Sequence, residues 1–270
     1  MRYEPIKKSL GRFFRKSVLL KRILYFLLDL LLLRSWHVRK ALSRLGKALP
    51  VDAHVLDAGS GFGQYTWRMS SNHPGWRIKG IDINSEEINE CNEFFRRTGR
   101  DGRVRFETGD LTRLDEKPEY DLVITVDVME HIAEDEKVFS NFSAALKQGG
   151  TLVISTPSDK GGSDVHDHDD ESFIDEHVRD GYGADEITSK LQRAGFDRIS
   201  VFYTYGSAGS VSWRLSMKYP VKMLNISYLF FILLPFYYII VFPVSFVLNM
   251  IDVSGTNKTG TGLLVTAVKK

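Results

Sequence analysis

One turn does most to limit what this chain can fold into. Val55-Leu56-Asp57-Ala58-Gly59-Ser60-Gly61-Phe62-Gly63 reads as a short apolar strand, a glycine-rich turn and the start of a helix. Glycine tolerates positive φ and lets the backbone approach a ligand, so such a turn belongs at the carboxyl end of a strand in a nucleotide-binding α/β sheet. Alone, it also fits a dinucleotide enzyme. Around it, apolar runs at 53–57, 76–81, 103–108, 120–126, 150–156 and 197–205 alternate with helical patterns at 63–71, 85–98, 134–147 and 184–194. That alternation predicts a doubly wound, mostly parallel sheet covered by helices on both faces. Ser85, followed by Glu86 and Glu87, reads as a helix N-cap with an acidic first turn.

Acids recur where the later strands end. Gly80-Ile81-Asp82-Ile83-Asn84 closes the second run and puts Asp82 23 residues after Gly59. A carboxylate there can accept both hydroxyls of a ribose. Gly109-Asp110-Leu111 closes the third run. Tyr120-Asp121-Leu122-Val123 opens the fourth, which runs into Asp127-Val128-Met129-Glu130-His131-Ile132. Taken in order, these motifs resemble the class I S-adenosylmethionine-dependent methyltransferases, closest to the ubiquinone and menaquinone biosynthesis branch. The resemblance covers residues 50–205 and a final strand at 263–268. It implies a Rossmann-like, seven-stranded sheet with an antiparallel last strand, and S-adenosylmethionine as cofactor. By this likeness Asp57, Gly59, Gly61 and Gly63 hold the methionine moiety, Asp82 the ribose and Asp110 the adenine amino group. Asp127 then lies near the methionine end, and Ile83 and Leu111 add further cofactor contacts.

Methyl transfer from a sulfonium is an in-line displacement, so donor and acceptor must be held about 3–3.5 Å apart with water excluded. A phenol or alcohol acceptor needs a base, and histidine suits the task. His131, after Glu130, is a candidate base, with a structural histidine as the alternative. Quinone-type relatives carry Glu-x-x-Glu-His here and can bind a divalent metal. In this chain Asp127, Glu130 and His131 match that pattern, with aspartate shortening the first ligand arm. Further on, His177-Val178-Arg179-Asp180-Gly181-Tyr182 resembles a His-x-Arg-x-Gly-Tyr segment of related enzymes. It makes His177 a base or substrate ligand, and Arg179 and Tyr182 candidates for a polar or anionic head group. The preceding stretch 164–171, rich in aspartate and histidine, reads as a solvated loop.

Charge is unevenly distributed. Residues 1–50 carry 13 Lys/Arg and two acids, a net +11, while the whole chain is only +2, leaving −9 for the rest. A basic arm on an acidic body predicts an anionic partner, a membrane surface or nucleic acid. The single cysteine, Cys91, excludes an intramolecular disulfide and a cysteine metal cage, which fits a reducing compartment. The apolar run at 23–33 contains Asp29 and no cleavage signature follows it, unlike a signal peptide.

Residues 223–251 hold 29 positions without a charge, interrupted by Pro235 and Pro243. This segment separates two strands that are neighbours in the expected sheet, so a single bilayer crossing is excluded. Two crossings need about 40 apolar residues. The sequence therefore predicts a helical hairpin turning at Pro235 within one leaflet, packed on the N-terminal helix, or an apolar cap over the site. Burial in a core or an oligomer contact is the plainer alternative. Three regions result: a basic amphipathic helical segment at 1–50, a cofactor-binding domain at 51–205 with 259–270, and an apolar helical insertion at 206–258. The expected function is methylation of a lipid-like or lipid-linked acceptor at the cytoplasmic face of a membrane, peripheral or monotopic, with an anionic membrane surface as partner. The alternatives are an RNA methyltransferase using the basic arm, a non-catalytic scaffold and a nicotinamide enzyme. No nucleic acid partner is expected, because the apolar run 23–33 has no purpose on RNA. The oligomeric state is left open.

Overall fold

The computed structural model describes residues 17–161, 178–227 and 229–270. His177 and the loop at 164–171 lie outside the described residues. Strands β1 (His54–Ala58), β2 (Arg77–Asp82), β3 (Val104–Thr108), β4 (Tyr120–Val126), β5 (Leu146–Pro157), β6 (Phe196–Thr204) and β7 (Gly262–Lys269) form one sheet. Its order is β3-β2-β1-β4-β5-β7-β6. The β1–β2, β2–β3, β1–β4 and β4–β5 pairs are parallel, and β7 runs antiparallel to β5 and β6. Strand direction reverses only at the last strand, as the resemblance implies.

Successive strand residues face opposite sides, and both sides are covered. Val55, Ile78, Leu122 and Ile124 pack with Met69, Ile88, Phe94 and Phe95 on one face. Leu56, Ile81, Val123 and Ile154 pack with Val138, Phe139, Ile187 and Leu191 on the other. This double burial explains why the strands read as continuous apolar runs.

At the N-terminus, α1 (Val18–Leu31) and α2 (Leu33–Leu45) are separated by the extended residue Leu32. Then come α3 (Gln64–Asn72), α4 (Ser85–Arg97), α5 (Asp135–Ala145) and α6 (Ala184–Arg193). The cap of α4 is Asn84 rather than Ser85. Its side-chain oxygen accepts from the amides of Glu86 (3.1 Å) and Glu87 (3.3 Å), and Ser85 is already helical. The described part of the basic arm joins the core. Tyr25 is 1% exposed and stacks 6.1 Å from Phe62, with its edge 5.6 Å from Phe94. Asp29 accepts from Gln64 (2.9 Å) and pairs with Arg68. The opposite side of α1 exposes Leu19, Ile23, Phe26 and Leu27.

Between β6 and β7 the chain forms a two-armed helical insertion. The first arm is α7 (Ser207–Trp213), a wide π turn (Arg214–Lys218) and α8 (Tyr219–Ile226). The second is one 25-residue helix, α9 (Phe230–Ser254). The expected reversal at Pro235 does not occur; Pro235 and Pro243 both lie inside α9, and the chain turns back between Ile226 and Phe230. Each proline removes one helical hydrogen bond, and packing between the arms outweighs that loss. The hydroxyls of Tyr237 and Tyr238 donate to the carbonyls of Leu215 (2.7 Å) and Ser216 (2.6 Å), within the π turn. Ser212 donates to the carbonyl of Ser245 at 3.1 Å.

The insertion is fixed at its base. Asp252, 2% exposed, accepts from the amides of Tyr205 (3.1 Å), Gly206 (2.8 Å) and Gly209 (3.2 Å) and pairs with His37 (2.7 Å). Trp36 of α2 meets Phe246 edge-on at 5.0 Å, and Lys40 donates to the carbonyl of Val253. Because 36, 37 and 40 meet 246, 252 and 253 in the same order, α2 and α9 run in the same direction. The first half of α9 therefore projects beyond the start of α2. That projecting part exposes Leu229, Ile232, Phe236, Ile239 and Ile240. By length and composition α9 could cross a membrane.

Candidate functional site

The glycine turn sits at the carboxyl end of β1, between β2 and β4. Gly59, Gly61 and Gly63 have φ of 79°, 47° and 84°, values that favour glycine. A Cβ on Gly59 would lie 2.2 Å from Val128, so this glycine also lets the turn close onto the segment after β4. The amides of Gly59 and Ser60 donate to the carbonyl of Ile81 at 2.8 and 3.0 Å, tying the turn to the end of β2. There Asp82 accepts from the amides of Gly61 (2.8 Å) and Asn84 (2.9 Å). Ile83 beside it is 77% exposed. Asp110, at the end of β3, is exposed and accepts from the amide and hydroxyl of Thr112, both at 2.8 Å. Those hydrogen bonds hold its carboxyl below the usual range. This edge thus offers a permissive backbone, two accessible carboxylates and an exposed apolar side chain.

Two expected cofactor contacts are turned away from that edge. Asp57 is 2% exposed and accepts from Thr66 Oγ1 at 2.6 Å, beneath the turn. Burial pushes its carboxyl up to about 6. It braces the loop from inside through Thr66. Leu111 is 5% exposed and packs into the core layer with Ile81 and Phe139, so its side chain has no ligand-facing surface.

After β4, successive residues diverge. Asp127 has φ of 51°, rare for a residue other than glycine. Its amide donates to the carbonyl of Ser155 (2.8 Å), and its carboxylate pairs with Arg34. Glu130 points inward, is 2% exposed and accepts from Thr156 Oγ1 at 3.2 Å. Burial raises its carboxyl above the usual range. His131 lies exposed. Among the described residues no group of three His, Cys, Asp or Glu could hold a metal. The expected metal set of Asp127, Glu130 and His131 is corrected accordingly: a tight turn sends its three side chains to different places.

Arg179 and Tyr182, the expected substrate contacts, both meet Asp135. Tyr182 is fully buried, and its hydroxyl donates to Asp135 at 2.8 Å. Arg179 donates to Asp135 (2.6 Å) and the carbonyl of Ile132 (2.9 Å), and Lys190 reaches the same carboxylate at 2.7 Å. This charged knot clamps the chain after residue 177 onto the start of α5. His177 lies outside the described residues.

The sequence reading missed a cover over the site. Tyr25 donates to the carbonyl of Phe62 at 2.6 Å, inside the glycine turn. Gln64, the first residue of α3, donates to Asp29 (2.9 Å) and Ser35 (3.0 Å) at the α1–α2 junction. Arg34 reaches Asp127, and its amide donates to the hydroxyl of Tyr205 at 3.1 Å. The available signal was the pair of charges, Asp29 and Arg34, in an otherwise apolar run, because a charge in such a setting needs a partner.

A family model described as a methyltransferase domain matches residues 50–195. Among curated proteins, the chain is 32% identical over 117 residues to phosphoethanolamine N-methyltransferase 2 of Caenorhabditis elegans, covering 43% of this chain and 26% of that one. It is 25% identical over 128 residues to the ubiquinone biosynthesis O-methyltransferase of Rickettsia conorii, covering 43% of each. The chain spans less than half the length of the curated relatives it matches. The fold is shared with phosphoethanolamine N-methyltransferase 2 of Haemonchus contortus, solved with phosphomonomethylethanolamine and S-adenosylhomocysteine. That likeness has a TM-score of 0.58 at 18% identity and covers 86% of this chain and 52% of that one.

Proposed function

This chain belongs to the methyltransferase-domain family, and on that premise we propose that it methylates a lipid-like or lipid-linked acceptor at the cytoplasmic face of a membrane. The acceptor class comprises a quinone precursor, a lipid head group or a lipid-carried sugar. S-adenosylmethionine, when bound, supplies an electrophilic methyl group on a sulfonium. The residues at the sheet edge fit it. Gly59, Gly61 and Gly63 let the backbone close on a ligand, Asp82 receives the ribose hydroxyls and Ile83 faces the adenine. Asp110 accepts from the adenine amino group. The cover of α1 and α2 keeps water from the reacting end, held by Tyr25 on Phe62 and Gln64 on Asp29. His131 takes the proton from a hydroxyl acceptor, and Glu130, raised by burial, shapes the field behind it.

The observation that carries the acceptor class is the exposed first half of α9. It leaves a run of apolar side chains in the open, which in a water-soluble protein is a liability and on a bilayer is an anchor. It projects past the start of α2, where Arg34 meets Asp127, so the anchor and the reacting end of the site lie toward the same side. The two curated relatives, named for phosphoethanolamine and for ubiquinone biosynthesis, are compatible with such an acceptor.

The test is to incubate the protein with methyl-labelled S-adenosylmethionine and a total lipid extract and to find which species carries label. Flotation with anionic vesicles, comparing wild type with Phe236→Glu/Ile240→Glu, checks the anchor. Label in RNA instead of lipid, or wild-type protein that stays at the bottom of the gradient, overturns this reading.

A further inference from the structure

We propose that Arg34 and Asp127 form a divided receptor for the amino-acid end of the methyl donor. The carboxylate of the donor binds Arg34 and its ammonium binds Asp127, so that a zwitterion replaces the ion pair joining the two side chains. This inference rests on the methyltransferase reading. Arg34 lies outside residues 50–195, the part of the chain that the methyltransferase-domain model matches.

Four observations carry the argument. First, Arg34 and Asp127 pair directly, with side chains 31% and 34% exposed. Both side chains are partly accessible, so a ligand can reach them. Second, Asp127 holds its carboxylate out from a left-handed backbone position at φ 51°. A non-glycine residue there costs energy, and such strain concentrates at functional sites. Third, Arg34 Nε is buried without a hydrogen-bond partner among the described residues. A guanidinium has five donors in a planar fork that matches a carboxylate, so this one retains unused capacity. Fourth, the pair adjoins the turn, because Val128, next to Asp127, closes on Gly59.

The surroundings favour a zwitterion over a simple anion. An anion alone would leave Asp127 beside it without its cation, and an ammonium alone would strand Arg34. An α-amino acid carries both charges on one carbon, so each protein group exchanges one opposite charge for another. The backbone that carries the guanidinium is held in place. The amide of Arg34 donates to Tyr205 at 3.1 Å, and Tyr205 is packed at the base of the insertion, where its own amide donates to Asp252 at 3.1 Å.

The experiment compares the affinity of two adenosine ligands by calorimetry on the full chain in a mild detergent. S-adenosylhomocysteine has the amino-acid end, whereas 5′-methylthioadenosine lacks it. In Arg34→Gln, S-adenosylhomocysteine should bind roughly 10- to 100-fold more weakly, the usual value of a charge-assisted contact. Binding of 5′-methylthioadenosine should change by less than about two-fold. Arg34→Lys, which keeps the charge but not the fork, should fall between wild type and Arg34→Gln. An unchanged affinity for S-adenosylhomocysteine overturns the proposal. So does an equal loss for both ligands, which would make Arg34 a structural clamp of the cover. Failure of wild type to bind either ligand would instead overturn the methyltransferase reading.

Discussion

Replacing Asp57 by asparagine tests how the glycine turn is supported. Asp57 is 2% exposed beneath the turn, with Thr66 donating at 2.6 Å. Burial raises its carboxyl from 3.8 to about 6, helped by the charge of Asp82 and opposed by the hydrogen bonds from Thr66. The folded protein therefore holds this proton more tightly than the unfolded chain. The stability contributed by the protonated form is complete below pH ~4 and is lost as the pH rises through ~6. A shift of about two units corresponds to about 3 kcal/mol. In Asp57→Asn no proton is exchanged at this position. The stability of the variant relative to wild type should thus rise by about 2.4 kcal/mol between pH 4 and pH 7. Urea unfolding at one-unit pH intervals, in a detergent that covers α9, measures the difference directly. Two parallel stability curves would refute the reasoning, and so would a variant that loses ground as the pH rises.

Three further outcomes follow from named contacts. Gly59→Ala places a Cβ 2.2 Å from Val128 at a φ of 79°, and should abolish S-adenosylhomocysteine binding in calorimetry. Gly99→Ala, at φ 67° with nothing within 4 Å, should cost only about 1 kcal/mol and leave binding intact. Asp252→Ala strands His37 and three backbone amides. It should destabilise the protein by about 3–5 kcal/mol and open the base of the insertion to limited proteolysis around residue 206. His131→Ala should lower the methylation rate at least about 10²-fold while leaving S-adenosylhomocysteine affinity unchanged; full activity would remove it as the base.

The positions of Gly59, Asp82 and Asp110 were legible because motif and place coincide. A glycine turn ends a strand, and an acid at or just past the end of a neighbouring strand shares its edge. Side-chain direction was not legible in the same way. Asp57 and Glu130 stand at the expected sequence positions, yet Thr66 and Thr156 hold them inward. Arg179 and Tyr182 match a substrate-segment pattern, but Asp135, more than 40 residues earlier, occupies both. Pro235 carried a turn signal that the packing of α9 against the first arm overrode.

Local pattern by itself determined the alternation of strands and helices, the glycine turn and the uncharged insertion, because each depends on spacing and on neighbours a few residues away; the antiparallel last strand came from the family resemblance. The tertiary structure alone decided that the N-terminal helices close over the turn, that Arg34 meets Asp127, and that the insertion is anchored through Asp252. Those contacts join residues 93 and 215 positions apart in the second and third cases. A buried charge finds its counter-charge by distance in space, which the linear order of the chain does not encode.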